Sequence, residues 1–172
     1  MSNVPTAAPT GGDTATDSQQ YLLFNVGDEV FAIDIRTVRE IIQYGSMTVV
    51  PLMPDFVRGV INLRGAVVPV IDLQVRFDRS KSAVGKKTCI IIFDAPVGGE
   101  KVELGLMVDS VSEVVDLDKG HIEMPPHFGT SIKREFISGL GKVGDSFVVI
   151  IEPERTLSIE DMAVLAEQWQ AV

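Results

Sequence analysis

The feature that most constrains this chain is that it repeats itself. Residues Phe31 to Ile42 (FAIDIRTVREII) can be laid on Leu104 to Val115 (LGLMVDSVSEVV) at an offset of 73, with Glu40 falling on Glu113. Further on, Phe56 to Gly59 falls on Phe136 to Gly139, and Val67 to Asp72 on Phe147 to Glu152, at an offset of 80. The earlier pair, Phe24 and Phe93, is offset by 69. The drift places insertions of 4 and 7 residues in connections, where extra length is tolerated. A Phe, a Gly, an acid and a strand end recurring in order imply a duplicated five-strand unit, two small barrels built on one plan. A unit of about 65 to 70 residues cannot make a generous core alone, so the two should lean on each other.

The runs themselves are short, rich in Val, Ile, Leu and Phe, and broken at close intervals by Gly, Asp, Asn and Pro, which is β patterning. The clearest strands are Tyr21 to Val26, Glu29 to Ile33, Val57 to Leu63, Val67 to Leu73, Thr88 to Asp94, Val102 to Val108 and Ser146 to Glu152. Asp34 is placed to cap a short helix with Ile35, Val38, Ile41 and Ile42 on one face, stopped by Gly45. Ser158 and Asp161 resemble a capping box, and Ile159, Met162, Leu165 and Trp169 then recur at helical spacing, which predicts a C-terminal amphipathic helix over 158–172 docked on the barrels. Residues 1–18 hold no Lys, Arg or aromatic and read as a disordered tail. The expected organisation is all-β: a tail at 1–18, a domain over 19–157 of two five-stranded SH3-like barrels (about 19–80 and 88–152, with any exchange of strands between them left open), one short helix, and the C-terminal helix.

Charge narrows the function. With 15 Lys and Arg against 24 Asp and Glu, the net charge of -9 disfavours nucleic acid and anionic membrane surfaces, since backbone phosphates are bound by clustered cations. No apolar run approaches the roughly 20 residues of a spanning helix, so membrane insertion is not expected. A single cysteine, Cys89, forms no intrachain disulfide, and nothing at the N-terminus marks export, so a reducing cytosol is the expected setting.

Catalytic equipment is missing. Gly139 to Gly144 spells G-x-G-x-x-G, but Asp145 leads into the β-branched run Phe147 to Ile151 where a nucleotide site needs a helix, so the glycines belong to a hairpin. His121 and Glu123 form an H-x-E with His127 nearby, yet the C-x-x-C that would complete a zinc site is absent. Asp116 to Gly120 with Glu123 starts like a calcium loop, but Gly stands where an acid belongs and the last acid comes too early. No G-x-S-x-G elbow appears. No catalytic residue, metal or cofactor is expected.

The segment from Gly59 to Leu73 differs in kind. Asn62, Arg64 and Gly65 interrupt two apolar strands, which puts Arg64 at a hairpin with its guanidinium projecting and Gly65 in a conformation other residues avoid. Arg64 can pair with a carboxylate of a partner or, within the barrel, with Asp72, Asp34 or Glu40. Pro69 has no N–H to donate, which marks its strand as an edge or a bulged one.

Gly59-x-x-Asn62-x-Arg64-Gly65-x-x-x-Pro69-x-x-Asp72-Leu73, preceded by Leu23 to Ile35 and Val38 to Ile41, strongly resembles the chemotaxis coupling protein (CheW) family. The resemblance extends from about Gln19 to the last helix and includes Val108 to Val114 and Gly139 to Gly141. It implies two SH3-like barrels and a non-enzymatic, stand-alone adaptor in the cytoplasm, recruited to membrane receptor arrays. Such a protein couples the cytoplasmic tip of chemoreceptors to the regulatory domain of the chemotaxis histidine kinase. Carried over residue by residue, it assigns receptor binding to Val38, Gly59, Arg64, Gly105 and Val114 and kinase binding to Glu40 and Ile41, with Phe128 as a second kinase contact. The bland readings stay open: Val38 and Ile41 as core, Gly59 and Gly105 as turn residues. A small-ligand-binding barrel is the alternative function, although interiors of five-strand units are normally filled by side chains.

Overall fold

The computed structural model describes residues 18–153 except 52, 77–81, 98 and 125–136. Among the described residues the strands are β1 (Ser18–Val26), β2 (Glu29–Asp34), β3 (Val38–Gln43), β4 (Val57–Leu63), β5 (Ala66–Asp72), β6 (Cys89–Val97), β7 (Glu100–Val108), β8 (Ser110–Asp118), β9 (Ile122–Glu123), β10 (Ile137–Val143) and β11 (Ser146–Ile151), with one four-residue helix, α1 (Leu73–Arg76). The fold is all-β, in two sheets ordered β8-β1-β2-β11-β10-β9 and β3-β6-β7-β5-β4.

The repeat carries β1 to β5 onto β6, β7, β8, β10 and β11, and under that mapping both sheets read third, first, second, fifth, fourth. Each sheet takes its first two strands from one half of the chain and the others from the other half. The division near residue 80 therefore marks the repeat and is not a boundary between sheets. Register repeats as well: Leu22 faces Val114 and Phe24 faces Val111, just as Ile91 faces Ile41 and Phe93 faces Val38. Even the irregularities recur, with a register shift between Val57 and Gly59 on β4 and between Ile137 and Gly139 on β10.

Alternation of side chains along each strand sorts the core into layers. Leu22, Phe24, Phe31 and Ile33 of one sheet share a central cluster with their counterparts Ile91, Phe93, Leu104 and Leu106 of the other. Ile61, Val68, Val70, Ile90 and Ile92 fill the concave side of the five-stranded sheet, and Leu23, Ala32, Val148 and Ile150 that of the six-stranded one. Two small units thus share one large core, which is how chains too short to bury enough surface separately become stable.

Both sheets close on themselves. Thr48, on the chain leaving β3, exchanges backbone hydrogen bonds with Val60 of β4 at 2.9 and 2.8 Å, and β9, on the chain leaving β8, pairs with β10. A Cβ on Gly59 would lie 2.5 Å from the Thr48 carbonyl, and one on its counterpart Gly139 would lie 2.6 Å from Ile122 Cγ2. The glycine is required where the closing segment crosses.

One expected element is corrected. Asp34 does cap a turn, accepting from the Arg36 amide at 2.9 Å, but the turn is a 3-10 turn of Ile35–Thr37, and the expected helix is strand β3 beyond it. Burial along Val38–Gln43 alternates with period two, so Ile41 stands outside with 40% exposure. The expected C-terminal helix and N-terminal tail lie outside the described residues, except for Ser18, which begins β1.

Candidate partner-binding surface

The residues assigned from sequence fall on two strands and one hairpin. Asn62 Oδ1 accepts from the Gly65 amide at 3.0 Å, and the β4–β5 turn places both Arg64 (φ 52°) and Gly65 (φ 85°) in the left-handed region. That pairing of positive φ values is the two-residue hairpin turn whose twist matches its strands. Arg64 projects from the turn, its side chain 64% exposed, and its Nη1 lies 2.5 Å from Glu40 Oε1 on β3. Of the three internal carboxylates open to Arg64 in sequence, Glu40 is the one it meets. Asp34 is held by Arg36 at 2.7 Å and the buried Asp72 by Arg58 at 2.8 Å.

Glu40 and Arg64 come from opposite edges of the five-stranded sheet, and the sheet's closure brings them together. Beside them Val38 is half-buried against the central core, and Ile41 faces solvent. Gly59 lies buried under the closing segment, and Gly105 is buried in β7, where a Cβ would stand 2.6 Å from Ile90 Cγ2. Val114 sits on β8 of the other sheet, 47% exposed, at the position that corresponds to Ile41. Both bring an exposed branched side chain to an outer strand, a likeness the repeat alone could have signalled. Phe128 lies outside the described residues.

Residues 139–144 form a hairpin, β10 leading through Gly144 (φ 62°) to β11. His121 is exposed in a 3-10 turn, and Glu123 is exposed on β9.

Sequence reasoning missed a cleft of about 660 Å³ where the two sheets meet, with Tyr21, Asp34, Thr37, Phe93, Lys101 and Pro153 among its walls. No single segment signals it, because strands from both halves contribute. Burial pushes the Tyr21 hydroxyl above its usual range, and the Asp34 charge opposite adds to this. For Asp34 itself, partial burial works upward, but hydrogen bonds from the Arg36 side chain and amide, with the charges of Arg36 and Lys119, hold the carboxyl below its usual range. Arg39 closes another ion pair at the rim, 2.9 Å from Asp94. The arrangement supplies paired charges and apolar walls; no described helix is long and apolar enough to cross a membrane.

A family model for the CheW-like domain matches residues 20–161. Among curated proteins, the chain is 35% identical to chemotaxis protein CheW of Klebsiella aerogenes, covering 96% of each chain. It is 28% identical to that of Treponema pallidum (88% of this chain, 91% of the relative) and 29% identical to protein FrzA of Myxococcus xanthus (73% and 76%). Among solved structures, the scaffolding protein TtCheW of Thermoanaerobacter tengcongensis matches with a TM-score of 0.74 at 35% identity, covering 83% of this chain and 90% of that one. The sequence motif around Arg64, the paired sheets and these likenesses agree: the chain belongs to the CheW-like family of chemotaxis scaffold proteins.

Proposed function

We propose that this protein is a non-enzymatic adaptor that binds the cytoplasmic tip of a chemoreceptor and the regulatory domain of a chemotaxis histidine kinase at separate surfaces, holding both in arrays at the membrane. The observation that carries the reading is the Glu40–Arg64 ion pair. Its Arg64 side chain is 64% exposed and its Glu40 side chain 31%, so a surface pair of this kind is expected to add about 1 kcal/mol or less to stability, yet it sets a strand carboxylate beside a hairpin guanidinium. In the proposed assignment Arg64, Val38 and Val114 face the receptor, with Gly59 and Gly105 keeping the backbone beneath free of side chains. Glu40 and Ile41 face the kinase, and Phe128 makes a second kinase contact. Ile41 on one sheet and Val114 on the other are both exposed, which supports the reading of two surfaces occupied separately.

Binding assays with a receptor-tip fragment and the kinase regulatory domain, singly and together, test this. Glu40→Arg should weaken the kinase complex more than the receptor complex, the latter only through the displaced Arg64, while Val38→Trp or Val114→Trp should weaken the receptor complex and spare the kinase complex. Excess adaptor should lower the ternary complex by saturating each partner alone. Competition between receptor and kinase for the adaptor would overturn the two-surface reading.

Small-molecule binding is the second reading, favoured by the inter-sheet cleft, since the concave side of each sheet is filled by side chains. A saturable thermal shift with a metabolite would support it.

A further inference from the structure

The connection that enters β6 is anchored at both ends and displays what lies between. Ser82 is buried, with its amide and hydroxyl donating to the Asp72 carboxylate at 2.9 and 2.8 Å and its carbonyl accepting from Arg58 at 2.9 Å. Thr88, also buried, holds the other end. Its hydroxyl accepts from the Gly85 amide at 2.7 Å, its amide donates to the Gly85 carbonyl, and its own carbonyl accepts from the Tyr44 amide at 3.0 Å. Between these anchors Ala83, Val84, Gly85, Lys86 and Lys87 are all exposed, so the turn gives no side chain to the core. Lys86 and Lys87 form no ion pair among the described residues, although acids outnumber bases in the chain by 24 to 15. With Ile41 and Ile42 of β3 and Val111 of β8 they line a groove of about 350 Å³ that runs between an end strand of one sheet and an end strand of the other.

We propose that Lys86 and Lys87 extend the kinase-facing surface and bind carboxylates of the kinase regulatory domain that flank an apolar side chain entering this groove. The proposal rests on the assignment of Ile41 to the kinase, since Ile41 lines the same groove, and adds to it the chemistry of the partner. Charge supplies the first reason: two uncompensated ammonium groups on a chain of net charge -9 mark the place where an acidic segment is attracted while the rest of the surface repels it. Apolar area supplies the second, because Ile41 is exposed and Ile42 and Val111 are half-buried beside it. The third is preorganisation. A turn already fixed at Ser82 and Thr88 loses little freedom when a partner binds. Glu40, next to Ile41 on β3, calls for the opposite sign, so a partner carrying acids for the lysines and a cation for Glu40 docks in one register only. Two cations are too few to hold an acidic chain on a nucleic acid or an anionic membrane.

Calorimetric titration of the full-length protein with the regulatory domain of its kinase and, separately, with a receptor-tip fragment tests this. Lys86→Glu with Lys87→Glu should weaken the kinase complex about tenfold or more and flatten its salt dependence, with the thermal midpoint and receptor affinity unchanged. Lys101→Glu with Lys142→Glu makes the same change in net charge on β7 and β10 and should alter kinase affinity by less than about twofold. Equal losses from the two double variants would reduce the effect to net charge and overturn the proposal. Unchanged kinase affinity in the first variant, or loss of the receptor complex in place of the kinase complex, would do the same. Glu40→Arg separates this outcome from the assignment beneath it. Should Glu40→Arg weaken the kinase complex while reversal of the lysines does not, the proposal fails alone. Should the lysines matter and Glu40 not, the proposal stands and the assignment of Glu40 falls.

Discussion

Asp72 and Arg58 are bonded at 2.8 Å inside the protein, the carboxylate with no exposed surface and the guanidinium side chain only 19% exposed. The pair also ties in segments distant in sequence, because Arg58 donates to the Ser82 carbonyl at 2.9 Å and Ser82 donates twice to Asp72. Removing one partner leaves the other buried and uncompensated. Asp72→Ala should therefore cost about 3–5 kcal/mol, read as a lowered urea midpoint with the slope unchanged. A loss below about 1 kcal/mol would show that Arg58 finds solvent when released.

The exposed pair behaves differently. Arg64→Glu or Glu40→Arg alone should change stability by about 1 kcal/mol or less, and a double-mutant cycle between them should give a coupling of only about 0.2–1 kcal/mol. Loss of the assigned partner by either single variant should exceed this, at about 2 kcal/mol or more by calorimetric titration. A large fall in thermal midpoint with binding intact would make the pair a structural one.

Glycines separate into two classes by what a Cβ would meet. Gly59→Ala and Gly105→Ala introduce contacts at 2.5 and 2.6 Å, the first with a backbone carbonyl, so both should destabilise by about 1–3 kcal/mol in urea titration. Gly45 has open space and no positive φ, so Gly45→Ala should be neutral or stabilising by about 0.4–1 kcal/mol.

Pro69 marks where one seam opens. The parallel pairing of β5 with β7 starts at Val70, whereas its counterpart between β11 and β2 includes Val149, which occupies the position equivalent to Pro69. The missing N–H accounts for the difference. Substituting Pro69 by valine should extend the ladder by one residue, seen as a slowly exchanging new amide at position 69. Net stability should move by less than about 1 kcal/mol, since one hydrogen bond is offset by the restored freedom of the unfolded chain.

Two cleft residues set opposite pH limits. The folded-state pKa of Tyr21 is raised, so its contribution is full below the unfolded value near 10 and is lost as pH rises through the folded value. The Asp34 carboxyl is lowered, so its contribution is present above the unfolded value near 3.9 and is lost as pH falls through the folded one. Urea midpoints should decline at both extremes, and Tyr21→Phe should flatten the alkaline limb alone.

Legibility from sequence was uneven for physical reasons. The repeat predicted register because equivalent apolar residues make equivalent pairs. That same equivalence hid the strand exchange: Leu22 could face Ile41 of its own half as well as Val114 of the other, since both are branched and apolar, and only the assembled sheets distinguish them. Strand β3 reads as a helix because Ile35, Val38, Ile41 and Ile42 satisfy helical spacing and Asp34 offers a cap. A cap of that kind serves a single 3-10 turn equally well, and the decisive fact, that Ile41 is exposed, is not a property of its spacing. Arg64 at a hairpin with Gly65 followed from local chemistry alone, but its partner did not, because Glu40 is brought to it by closure of the sheet. The Asp72 cluster gave no sequence signal, since Arg58 and Ser82 reach it from separate segments.

The exchange of strands also fixes an order of events during synthesis. The five-stranded sheet is written continuously from β3 to β7, so it can be completed once residue 108 has left the ribosome. Of the described strands, the β1–β2 pair is made first and flanked last, because its neighbours β8 and β11 come from the far half of the chain. Until they arrive, Phe24 and Phe31 can be sheltered only by the younger sheet against which they pack. The first two strands of this fold are therefore the ones that wait longest for their neighbours, and a chain stalled after β7 leaves that hairpin without its flanking strands.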